Sequence, residues 1–140
     1  MKILFTSDIH VDDRHLGAMC FIAANQAIDC IFIGGDLIPH YPPQQNSENL
    51  LDLTYLETLL VPRIRELKQV TSVSIYLDLG NDDLFGARHI LEAHDGDLFH
   101  LLHLRKHPLA EYVDIVGYMN VPPTFSKKRL GKTGQQSKAV

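Results

Sequence analysis

The chain has 140 residues, 45% of them apolar and 21% charged, which suits one globular domain and excludes a disordered chain, a collagen-like repeat and a coiled coil. Its 13 Lys and Arg stand against 17 Asp and Glu, and the net charge of −4 excludes nucleic-acid binding through bulk positive charge. Two cysteines make no disulfide framework, and the sequence has no apolar run of the roughly 18 residues that a membrane span needs. In chain order, residues 2–7 form a short apolar run that predicts a buried strand. Leu16, Cys20, Ala23, Ala24 and Ala27 recur at helical spacing and predict a helix over about 14–27. Residues 30–34 predict a second strand ending on glycines, and the proline-rich stretch 39–47 reads as a loop. Leu53, Leu56, Leu60, Ile64 and Leu67 predict a helix over about 49–69, with a kink at Pro62, which lacks a backbone donor. Residues 73–79 predict a third strand, 84–94 a third helix, and 98–104 and 112–118 further strands. This β-α-β-α-β order predicts an α/β fold with a mainly parallel sheet and flanking helices.

In such sheets, sites gather beyond the C-terminal ends of the strands. Here those ends carry Asp8-Ile9-His10, Gly35-Asp36 and Gly80-Asn81-Asp82-Asp83. Each motif has an ordinary reading as a turn or a helix cap, and Asp12 or Asp13 can cap the first helix. Jointly they bring carboxylate, imidazole and amide ligands to one edge, a donor set that suits Mn, Fe or Zn. Glycines beside Asp36 let the backbone approach an ion without a Cβ clash.

These residues resemble the calcineurin-like metallophosphoesterase superfamily. Its opening motifs, D-x-H, G-D and G-N-H-D/E, are matched by Asp8 and His10, by Gly35 and Asp36, and by Gly80 and Asn81. The resemblance covers about residues 1–125, with residues 118–125 also similar to a stretch of some bacterial members. It implies a two-sheet α/β sandwich of which this chain is the N-terminal half. It further implies two divalent metal ions in the complete domain, with one or none held by this chain. The activity implied is hydrolysis of phosphomonoesters or phosphodiesters by a metal-bound hydroxide. Asp8 and His10 would hold the first metal, Asp36 would bridge, and Asn81 would hold the second.

Two departures qualify this. Asp82 stands where the family has a histidine that assists the leaving group, and Asp83 takes the family's acidic position. A catalytic role for Asp82 requires a raised pKa. The family's later histidine motifs are also missing, since the last histidine is His107 and no Gly-His occurs. The expectation is therefore an N-terminal part of a metallophosphoesterase domain over 1–125, inactive by itself or completed by other ligands. The alternative is a non-catalytic remnant that binds a metal or a partner. Residues 126–140 hold five of the 13 bases and no acid, and they read as a basic, disordered tail. His40 is a candidate substrate contact. His94, His100, His103 and His107 form a cluster rich in ligand types that reads as a solvated face, while His15 and His89 read as helix-surface residues. The partners expected are a phosphate-ester substrate and a second copy, joined through an uncovered sheet face. A polar Thr6-Ser7-Asp8 too early for a secretion signal and the unpaired cysteines point to the cytoplasm.

Overall fold

The computed structural model describes residues 1–38, 54–80, 83 and 87–118. Asn81, Asp82, His40, the 39–47 loop, Pro122-Pro123 and the 126–140 tail lie outside the described residues. Strand β1 (Ile3–Thr6) leads into helix α1 (Asp13–Asn25), then β2 (Cys30–Ile33). A π-helical stretch, Leu56–Leu60, runs directly into helix α2 (Val61–Val70), followed by β3 (Ser74–Leu77) and helix α3 (Ala87–Glu92). The described chain ends with β4 (His100–Leu101), β5 (Lys106–Ala110) and β6 (Val113–Val116). The first four strands form one parallel sheet in the order β1-β2-β3-β4, and β5 and β6 pair antiparallel. The α/β architecture with a parallel sheet and flanking helices is thus present.

Period-two alternation in the strands divides their side chains between two faces. Ile31, Ile33, Ile75 and Leu77 point to the side where Leu16, Met19, Leu60, Ile64 and Leu67 of the helical segments close the main core. On the opposite face Cys30 and Tyr76 pack with Leu102, and Phe32, Leu109 and Ile115 lie against them. The β5-β6 hairpin therefore covers the middle of that face. It leaves the β1 side open, with Phe5 66% and Ile3 47% exposed. Both cysteines are free, and burial pushes each thiol upward in pKa.

Two features add to the sequence reading. At Pro62 the helix continues through the π-helical stretch. The Thr58 carbonyl would take its α-helical bond from the residue 62 N–H, which proline lacks, and the wider i+5 spacing steps past that gap. Strand β5 lies between the expected strands 98–104 and 112–118, and it contains Pro108. The hairpin register shifts between Pro108 and Ala110, and this irregularity accommodates the proline.

Candidate metal centre

The loops after β1 and β2 are zipped together by their backbones. Asp8 N–H donates to the Gly35 carbonyl at 3.1 Å, His10 N–H to Asp36 at 3.0 Å and Val11 N–H to Leu37 at 3.0 Å. The two loops therefore move as one unit. Ile9, 1% exposed, anchors the first loop in the core beside the buried Leu37 and Ile38. Burying the middle residue of Asp8-Ile9-His10 turns the two flanking side chains outward together. That local geometry requires an unusual backbone. Asp8, His10, Val11 and Asp36 have φ of 55°, 45°, 64° and 54°, in the left-handed region. Each such residue costs roughly 1–3 kcal/mol, and strain of this kind persists where surrounding contacts enforce it and gathers at functional sites. Val11, being β-branched, is the least suited to it.

Asp8, His10 and Asp36 each offer one ligand atom, and these atoms lie within 4.8 Å of one another. Among the described residues this is the one such group of three. His10 Nδ1 lies 2.9 Å from the Ile38 carbonyl oxygen. A carbonyl only accepts, so Nδ1 carries a proton, and in the neutral ring the lone pair is on Nε2. Nε2 is 3.8 Å from Asp8 Oδ1, too long for a hydrogen bond and a separation that a shared ion can bridge. Ser7 Oγ donates to Asp8 Oδ2 at 2.6 Å and orients that carboxylate. A backbone carbonyl on the far nitrogen is the usual support of a metal-binding imidazole. Two carboxylates and one neutral imidazole fit Mn, Fe or Zn. Asp12, by contrast, is the cap of α1, accepting from Arg14 N–H at 2.9 Å.

The loop after β3 reaches the same place. A Cβ at Gly80 would collide with the Asp36 side chain and backbone, and one at Gly35 would collide with the Gly80 backbone. Only glycines permit this approach. Asp83 accepts from Leu37 N–H at 2.8 Å, Ile38 N–H at 3.0 Å and Gly80 N–H at 2.8 Å. Burial raises its carboxyl pKa from the ordinary value against these three bonds, and the Asp36 charge pushes the same way. The reading from sequence assigned Asp83 a motif position but no contact. Its position as the last residue of Gly-Asn-Asp-Asp was the only signal.

The remaining histidines lie elsewhere. His100 and His107 are half-buried, with ring centroids 5.0 Å apart and Tyr76 at 5.5 and 5.9 Å. They join the hairpin to the sheet and are not the solvated face expected. His15 Nε2 lies 2.8 Å from Thr6 Oγ1, His89 lies 3.6 Å from Glu92, and the tilted rings of His103 and Tyr118 have centroids 6.1 Å apart. Arg88 and Arg105, near the β4 edge, are paired with Glu92 and Asp95. No helix among the described residues is long and apolar enough to cross a membrane. Compared with family models, curated proteins and solved structures, the chain matches none.

Proposed function

We propose that this protein is a metal-dependent phosphoesterase, hydrolysing phosphomonoesters or phosphodiesters. The observation that carries the reading is the convergence of Asp8, His10 and Asp36, with His10 held as the tautomer whose Nε2 is a ligand atom. Asp8, His10 and Asp36 would hold the first divalent ion, of Mn, Fe or Zn type. Asn81, next to Gly80, is the residue we assign with Asp36 to a second. Such ions would supply Lewis-acid activation of water and charge neutralisation at the phosphoryl group. Asp8 and Asp36 contribute negative charge that binds the ions, and the Ile38 carbonyl holds the His10 ring in place. The left-handed backbone of the loops sets the three side chains together, a preorganisation that would lower the ordering cost of binding an ion. We assign Asp82 to leaving-group protonation and His40 to substrate contact, from their positions after Asn81 and Ile38. Two free thiols support placement in a reducing compartment, the cytoplasm.

The test is Mn²⁺-dependent hydrolysis of bis(p-nitrophenyl) phosphate and p-nitrophenyl phosphate, with Asp8→Ala as control. Metal-dependent turnover that falls about 100-fold or more in Asp8→Ala is expected. A second reading, a non-catalytic metal- or partner-binding module, draws on the exposed Ile3 and Phe5, an apolar strip through which a second copy would associate. Mn²⁺ binding without turnover selects that reading and overturns the catalytic one.

A further inference from the structure

Asp83 is not among the three converging ligands, yet its carboxylate bonds both the loop that carries Asp36 and the loop after β3. Oδ1 accepts from the consecutive N–H groups of Leu37 and Ile38, and Oδ2 accepts from Gly80. Leu37 directly follows Asp36, and its carbonyl accepts from Val11 of the His10 loop. The Ile38 carbonyl is the partner of His10 Nδ1. One short stretch of backbone, residues 37 and 38, is therefore gripped by Asp83 from one side and grips the His10 loop on the other. Gly80, held by the second carboxylate oxygen, lies so close to Asp36 that no Cβ would fit.

From these contacts we infer that Asp83 is a positioning residue for the metal centre, a carboxylate clamp that sets the β2 and β3 loops at one spacing and so fixes Asp36 and His10 around a common point. The inference rests on the metal reading of Asp8, His10 and Asp36. The chemistry demands a carboxylate in particular. Three N–H donors from two loops need an acceptor at both oxygens, and only an ionised carboxylate accepts on both without turning a donor towards one of them. Asparagine has the same shape but would set its NH₂ against the Gly80 N–H.

The experiment is Mn²⁺ titration by calorimetry, with the Mn²⁺-induced rise in Tm as second readout, on wild type, Asp83→Asn and Asp83→Glu. Urea unfolding of each metal-free protein shows that it is folded. The expected result is a roughly 10- to 100-fold loss of Mn²⁺ affinity in Asp83→Asn, the range typical when a partner that orients metal ligands is removed. Asp83→Glu, which keeps both acceptor oxygens, recovers part of that affinity even where its metal-free stability is no better. A residue that only holds the fold together would lower metal-free stability and leave the affinity of the folded protein unchanged. That outcome overturns the clamp while leaving the metal reading intact. Absence of Mn²⁺ binding in wild type overturns the metal reading and the clamp with it. If Asp83→Asn does not fold, Asp83→Ser, which lacks the second acceptor oxygen, makes the same comparison with wild type, and equal affinities there overturn the clamp.

Discussion

His10 and His107 are both half-buried imidazoles with a ring nitrogen near a backbone carbonyl, at 2.9 Å from Ile38 and 3.2 Å from Leu101. What lies beyond each ring is different. Past His10 stand the carboxylates of Asp8 and Asp36, on loops bent into left-handed backbone and tied together by three hydrogen bonds. Past His107 stand the rings of His100 and Tyr76, on ordinary strands. The carbonyl contact alone therefore does not mark a ligand. The marks are anionic neighbours within ligand distance and a backbone held in a costly conformation to present them. The histidine-dense stretch from 94 to 107 is richer in ligand types than Asp8-Ile9-His10, yet among the described residues the converging group is Asp8, His10 and Asp36.

The largest expected effect bears on the carboxylates. Asp36→Ala should lower Mn²⁺ affinity by at least roughly 100-fold, since Asp36 is the residue assigned to bridge two ions. Calorimetric titration reads it, and an affinity within a few-fold of wild type would remove the contrast between the two histidine environments.

A smaller effect sharpens the other side of the comparison. Burial, with His107 beside it, holds the His100 imidazole below its ordinary pKa of 6.5, while Asp95 opposes the shift and Lys68 adds to it. The unfolded chain then takes up a proton at the ordinary value while the folded protein does not. Stability is fully present above about 6.5 and is lost as pH falls through the lowered folded value. Urea midpoints should thus decline between about pH 7.5 and 5.5, and less so in His100→Gln. An equal decline in both proteins would show that His100 is not the titrating group.

Parts of this arrangement were legible in the residues alone. The apolar run at 30–34 and the spacing of Leu16, Cys20 and Ala23 were enough for β2 and α1, because burial leaves a periodic mark. The placement of Asp8, His10 and Asp36 at strand ends followed from the parallel sheet, whose connections send all C-terminal ends to one edge. The hairpin strand β5 was hidden, since it is short, contains a proline and is sustained by its contact with the sheet face. The π-helical stretch before Pro62 was hidden because the proline shows only that a bond is lost, not how the helix reroutes. The strain at Val11 and the bonds of Asp83 left no mark, because both are facts about backbone groups brought together from distant parts of the chain.

The most direct measurement is Mn²⁺ titration of wild type, His10→Gln and His107→Gln, side by side. The account predicts a saturable site in wild type, roughly 10- to 100-fold weaker in His10→Gln and unchanged in His107→Gln. Equal affinity in wild type and His10→Gln, or a loss confined to His107→Gln, would contradict it.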